Sequence, residues 1–285
     1  MKITKNKLLN YITESFLYNR FKLMVLNQFE YEGLKDTGIE EKHVEKTLYE
    51  RGYEAVVMDK ELGLLCLPCS GIGAPNVYGE HVRYKVHGFG YCKEYKAKDI
   101  VVIENNKLRL PTDEAVLYFV NQLFDIRRTI DVNVKQLKLQ TLFTANDKNV
   151  LTVKKILDEI DEYNHAVIVD SSLAIEDIVK AIPTGVKPLT TELTDLYHDV
   201  LNEGLTYFGI NNANTDKRER LITDEVNSNN QFIDSCAQMF FESRKKGWDA
   251  VNEKFGTNVT VKLRNVQKEV TKNADKPITK DDTTK

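Results

Sequence analysis

Apolar residues recur every three or four positions along three long stretches of the chain, which is the spacing of amphipathic helices. The stretches are 6–30, 112–136 and 190–208. Gly33 follows the first, Pro111 precedes the second and Gly209 follows the third, so each has a helix start or stop signal nearby. Further helices are predicted at 40–51, 152–163 and 231–255. The chain is therefore predicted to be mainly helical.

The segment between the first two long helices has a different pattern. Short apolar runs at 53–58, 64–69, 81–86 and 100–103 are separated by turns, and 81–86 alternates apolar with polar residues. This predicts a small, mostly antiparallel β region. Isolated strands are predicted at 139–144, 166–169 and 258–264. The predicted fold class is α+β, mainly α.

Two polar segments show neither the helical spacing nor the strand alternation of apolar residues. Residues 210–230 are rich in asparagine and predict a long exposed loop, a kind of segment that often carries function. Residues 265–285 hold too few apolar side chains to offset the entropy cost of ordering, so we predict a disordered tail.

Composition narrows the function classes. The chain of 285 residues has 40 Lys and Arg, 43 Asp and Glu, a net charge of −3 and 41% hydrophobic residues. This excludes global disorder and a strongly basic nucleic-acid binder. No apolar run is long enough to span a bilayer and no signal peptide is recognisable, so we expect a soluble, cytosolic chain with no membrane partner.

A C-x-x-C pair, Cys66 and Cys69, is the one candidate for metal or redox chemistry. With Cys92 and either His81 or His87 it would supply four zinc ligands, and alone it would form a redox dithiol. The pair lies in an apolar, strand-like run without a second C-x-x-C, which favours buried core thiols.

No enzyme signature accompanies these cysteines. Gly71 and Gly73 lack the third glycine of a dinucleotide fingerprint, and neither a P-loop nor a G-x-S-x-G motif occurs. We therefore predict no enzyme, no cofactor and no metal. A small metal-binding or redox protein built on Cys66, Cys69 and Cys92, and a generic tail structural protein, are the alternative interpretations.

Several contiguous runs of residues carry a family resemblance. They are FGINNAN at 208–214, KRERLITDEVNSN at 217–229, and the segments 144–147, 241–244 and 255–264. These runs resemble the portal (connector, upper collar) proteins of small short-tailed bacteriophages with protein-primed genomes. The resemblance extends over roughly residues 10–264. The run at 208–229 is so long and specific that chance explains it poorly.

The resemblance implies the phage portal fold, with three long stem helices, a small β-containing wing and a helical crown or C-terminal region. It divides the chain by order of elements. The implied parts are a stem helix and short helix at 1–52, a β-rich wing or clip at 53–110, a second stem helix with a small α/β segment at 111–188, a third stem helix at 189–208, a channel loop at 209–230, a C-terminal helix and strand at 231–264 and a tail at 265–285.

The resemblance also implies a set of site residues. Two lysines before the third stem helix, matched here by Lys180 and Lys187, would project into a DNA channel. The channel loop would add the cations Lys217, Arg218 and Arg220. The polar residues of that loop are Asn211, Asn212, Asn214, Thr223, Asp224, Glu225, Asn227 and Ser228.

The partners implied by the resemblance are those of a capsid vertex. They are eleven further copies in a dodecamer, double-stranded DNA bound without sequence preference, the major capsid protein, the scaffolding protein, the packaging ATPase and the lower collar or tail protein. The implied location is the virion portal vertex, reached from the host cytoplasm. The N-terminal arm carries Lys2, Lys5 and Lys7 but no arginine, so it gives little support for contact with a packaging RNA.

Overall fold

The computed structural model describes residues 5–138, 141–145, 179–183, 185–211 and 223–264. Its five described α-helices are α1 (Lys5–Leu26), α2 (Glu41–Arg51), α3 (Asp113–Lys138), α4 (Thr190–Tyr207) and α5 (Thr223–Phe255). Its ten described strands are β1 (Phe29–Glu32), β2 (Tyr53–Asp59), β3 (Gly63–Leu67), β4 (Cys69–Gly71), β5 (Arg83–Gly88), β6 (Tyr91–Lys96), β7 (Val101–Glu104), β8 (Thr141–Ala145), β9 (Val179–Pro183) and β10 (Thr260–Leu263).

The chain divides into two compact units. The first contains residues 1–122 and 200–285, and the second contains residues 123–199. In the second unit, β8 and β9 pair antiparallel, which confirms the strand predicted at 139–144 over its described part. The helix predicted at 152–163, the strand at 166–169 and the tail at 265–285 lie outside the described residues.

The predicted β region is confirmed in the first unit, where all described pairings are antiparallel. One sheet has the order β3-β2-β7 and a second has the order β4-β5-β6. The single strand predicted at 64–69 is wrong, because it is two strands in two different sheets. Pro68 stands between them, and since proline has no N–H it cannot continue a ladder of hydrogen bonds.

The first long helix is shorter than predicted. It ends at Leu26, and residues 29–32 form β1, with Phe29 and Tyr31 buried and Glu30 and Glu32 exposed. Strand β1 pairs with β10, which confirms the predicted C-terminal strand. Phe29 fits the helical spacing as well as the strand alternation, so only the distant partner strand decides between them.

The last helix begins eight residues earlier than predicted. Helix α5 starts at Thr223, so residues 223–230 are helical and the predicted loop at 210–230 is wrong in its last third. The residues after Thr223 are acidic Asp224 and Glu225, which stabilise the positive end of a helix dipole. The prediction placed the helix start too late because it relied on an apolar stripe, and the polar first turns of α5 lack one.

Helix positions 112–136 and 190–208 are confirmed within two residues at each end. Three aromatic rings, Phe21, Phe119 and Phe208, meet where α1, α3 and α4 come together in the first unit, with centroids 6.0–6.2 Å apart for the pairs that include Phe208. They pack around Gly204, where an added Cβ would lie 3.1 Å from the Phe119 ring.

Among the described residues, no helix combines the length and apolarity needed to cross a bilayer.

Candidate DNA-contact and subunit-contact sites

Of the two lysines predicted to face a channel, Lys187 is exposed in the segment that leads into α4. Its backbone is held by Asn133 of α3, whose side-chain amide donates to the Lys187 carbonyl at 3.0 Å and accepts from the Leu189 amide at 3.1 Å. Lys180 lies in β9 opposite Thr144. Both lysines belong to the second unit, which contains residues 123–199.

The described residues bracket the predicted loop cations without including them. Lys217, Arg218 and Arg220, with Asn212 and Asn214, lie outside the described residues. Asn211 is exposed at the end of the described segment after α4. The other predicted loop residues, Thr223, Asp224, Glu225, Asn227 and Ser228, lie in the first two turns of α5.

The residues directly after α4 are fixed by hydrogen bonds and by packing against α5. Gly209 has a φ of 69°, and its amide and that of Ile210 donate to carbonyls of the last turn of α4, at 2.9 Å each. A Cβ at Gly209 would lie 2.3 Å from the backbone nitrogen of Ala237 in α5. Helix α5 thus packs directly against the chain as it leaves α4, and the residues on either side of 212–222 both belong to the first unit.

A buried ion pair holds α5 to α2. Arg244 donates from Nε to Glu45 Oε1 at 2.8 Å and from Nη2 to Glu45 Oε2 at 2.9 Å, and both side chains are buried. Its remaining N–H groups donate to Asn105 Oδ1 at 3.0 Å and to the carbonyls of Asn105 and Phe240 at 3.2 Å. All five guanidinium donors are therefore satisfied, which makes a buried charge tolerable.

The same network reaches the start of α3. Asn105 donates from Nδ2 to the Leu110 carbonyl and to Thr112 Oγ1, both at 2.8 Å. The Thr112 amide in turn donates to the Tyr49 carbonyl of α2 at 2.9 Å. Sequence reasoning noted residues 241–244 as part of the resemblance but assigned them no role, because the partners of Arg244 are distant in sequence.

Glu54 in β2 is a second buried carboxyl, and it has no opposite charge in contact. It is fully buried, and among the described residues neither oxygen has a hydrogen bond of ordinary geometry, the Cys66 thiol beside it being only a weak donor. Burial raises the pKa of Glu54 to about 8, and the nearby Glu45 carboxylate adds to the rise, while Arg244 and Cys66 oppose it. The protonated form is thus favoured in the folded protein at neutral pH.

Glu54→Gln is expected to flatten the pH dependence of stability between pH 5 and pH 8. Because the folded state holds the Glu54 proton more tightly than the unfolded chain, its contribution is present below pH 4.5 and is lost as pH rises through about 8. The slope for one proton is about 1.4 kcal/mol per pH unit. Urea unfolding at several pH values measures it. The matched control is Glu94→Gln on exposed β6, and parallel pH profiles for wild type and Glu54→Gln would contradict the assignment.

The cysteines are separated by the fold. Cys66 in β3 packs against one apolar cluster, Cys69 in β4 belongs to another, and Cys92 is exposed in β6 opposite His87. Burial raises the pKa of Cys69 to about 12 and that of Cys66 well above its ordinary value, which disfavours the thiolate that metal or redox chemistry needs. No cluster of three or more metal-ligating side chains occurs in the described part of the chain.

Helix α1 is apolar on two opposite faces. Leu17, Phe21 and Val25 are buried in the first unit. At 100° per residue the other face carries an outer stripe, formed by Leu8, Ile12, Phe16 and Leu23, all of which are exposed. A helix with a second exposed apolar face is typical of a surface that another chain covers.

The fold is similar to that of a solved phage portal. The solved structure described as the portal and tail of native bacteriophage P68 matches with a TM-score of 0.51 at 17% identity, over 96% of each chain. The family described as Phage Connector (GP10) matches residues 1–268. The chain belongs to the phage connector family.

A curated relative agrees with this assignment. The portal protein of Staphylococcus phage 44AHJD is 25% identical over 151 residues, which are 52% of this chain. The match spans 59% of that relative's length. Family membership confirms the resemblance and replaces both alternatives, the small metal-binding or redox protein and the generic tail protein.

Proposed function

We propose that this chain forms a ring at one capsid vertex, through which double-stranded DNA is packaged and ejected, and that the ring joins head to tail. The observation that carries the proposal is the family match over residues 1–268. The proposed ring has twelve copies, and its role is structural, without catalysis.

The two apolar faces of α1 support an assembly. One face is buried within the chain, and the outer stripe leaves Phe16 and Leu23 exposed unless a neighbouring copy covers them. Burial of apolar surface at about 25 cal/mol per Å² would then hold the ring together.

The charge of the chain supports a conduit for DNA. Each phosphate contact with a cation releases counterions and deepens binding, so a channel that lets DNA slide needs few cations. We place Lys180 and Lys187 on the channel wall, and we place Lys217, Arg218 and Arg220 at the DNA in the part of the predicted channel loop that precedes α5, residues 212–222. Phosphate contacts read no sequence, so any DNA would be accepted.

The other partners follow from the proposed place in the particle. A vertex ring would contact the major capsid protein and the scaffolding protein within the head. Outside the head it would contact the packaging ATPase and afterwards the lower collar or tail protein.

The purified full-length chain is expected to assemble into rings of about twelve copies. Mass photometry or native mass spectrometry measures the mass, and micrographs show whether particles are annular. A chain that stays monomeric at every concentration and salt condition would contradict the proposed ring. Binding of about one zinc per chain would instead favour a metal protein.

A further inference from the structure

A groove lies between residues 106–112 and helix α5 in the first unit. It encloses about 670 Å³. Its apolar lining includes Leu108, Leu110, Tyr207 and Met239, which are 75%, 52%, 46% and 53% exposed. Its polar lining includes one cation, Lys107, and three acids, Glu114, Asp234 and Glu242. The groove is therefore partly apolar, and its charged residues are mostly acids.

The outer stripe of α1 has the complementary composition. By helical spacing, the positions that share this face with Ile12 and Phe16 include Asn19 and Arg20, and no acid falls among them. The stripe is apolar and basic where the groove is apolar and acidic. Complementary charges of this kind select a partner and set its register.

The stripe and the groove are two different surfaces of the first unit. Phe21 of α1 and Phe119 of α3 flank Gly204 of α4, and the stripe lies on the face of α1 opposite Phe21. Glu114, which lines the groove, lies on the face of α3 away from Val116, Phe119 and Val120. A contact that joins two different surfaces repeats head to tail, and it generates a ring when the rotation between successive copies closes.

We propose that the groove binds the outer stripe of α1 from a second copy of this chain. This rests on the proposed ring, and it adds which two surfaces make each junction. The apolar side chains of the stripe would cover Leu108 and Met239, and Arg20 would face the acids of the groove, Glu114, Asp234 and Glu242.

Paired substitutions at exposed positions test each surface separately in the full-length chain. The groove variant is Leu108→Glu with Met239→Glu, the stripe variant is Ile12→Glu with Phe16→Glu, and the control is Val77→Glu with Tyr78→Glu. All six side chains are exposed, so folding should be retained, and circular dichroism checks it. We expect the concentration for half-assembly to rise by about 100-fold in the first two variants and to stay unchanged in the control.

Mixing the groove variant with the stripe variant gives a sharper test. Each chain then retains one working surface, so a pair can form one good junction and no second. The expected product is a one-to-one heterodimer that does not grow into a ring, and native mass spectrometry with one chain isotopically labelled detects it.

Each outcome separates the two proposals. If wild type forms rings and the groove variant assembles equally well, the groove is not the junction although the ring stands. Folded single variants that form no heterodimer when mixed would show that groove and stripe are not partners. A wild-type chain that never assembles would overturn the ring itself, before any variant is compared.

Discussion

Arg244→Ala is expected to destabilise the protein by about 3–5 kcal/mol, because it leaves the carboxylate of Glu45 buried without its counter-charge. Typical domains are stable by only about 5–15 kcal/mol, so the variant would lose a large share of its stability. The effect reaches beyond one pair, since Arg244 also holds Asn105, which fixes the start of α3. Urea or thermal unfolding measures the change.

Two further variants make the result specific. Lys245→Ala removes an exposed cation from the next position of the same helix, and a change within about 0.5 kcal/mol is expected. Replacing both Glu45 and Arg244 with methionine removes the pair together, and it should cost less than Arg244→Ala alone because no charge stays buried unpaired. If Arg244→Ala proved as mild as Lys245→Ala, the buried pair would not hold α5 to α2.

Replacing residues 212–222 with a Gly-Ser linker of equal length is expected to give particles that package DNA but fail to retain it. The change removes Lys217, Arg218 and Arg220 while leaving α4 and α5 intact, since α5 begins at Thr223. A deletion extending to residue 228 would also remove the first turns of that helix and confuse folding with function. Genome retained per particle is the measurement.

A milder variant of the same segment tests the contribution of its three cations alone. Alanine at Lys217, Arg218 and Arg220 should weaken retention partially and lower the salt dependence of DNA binding, by a log–log slope of about 0.9 for each phosphate that no longer pairs with a cation. The matched control removes three exposed cations from β5 and β6 by Arg83→Ala, Lys85→Ala and Lys96→Ala. Normal retention by the linker variant would remove the case for this loop and leave the family assignment untouched.

Local periodicity was sufficient for much of the fold. The apolar spacing at 112–136 and 190–208 specifies helices because a face that repeats every 3.6 residues must be buried along its length. Gly209 marks the end of α4 because its positive φ costs glycine no strain. The family resemblance was readable for the same reason, since the runs at 208–214 and 217–229 are contiguous in sequence.

Tertiary structure alone decided the features whose partners are distant. The ending of α1 at Leu26 depends on β10, which pairs with β1 from more than 200 residues away. Arg244 reads as one more exposed helix cation until Glu45, 199 residues earlier, is placed beside it. The stripe of α1 needed the same information, because apolar spacing predicts that a helix is buried but not how many of its faces its own chain covers. Sequence by itself thus determined helices α3 and α4, most of the β region and the family, because each of these signals is contiguous along the chain. The end of α1, the pairing of buried charges and the surfaces left for other copies arise only when distant segments pack together.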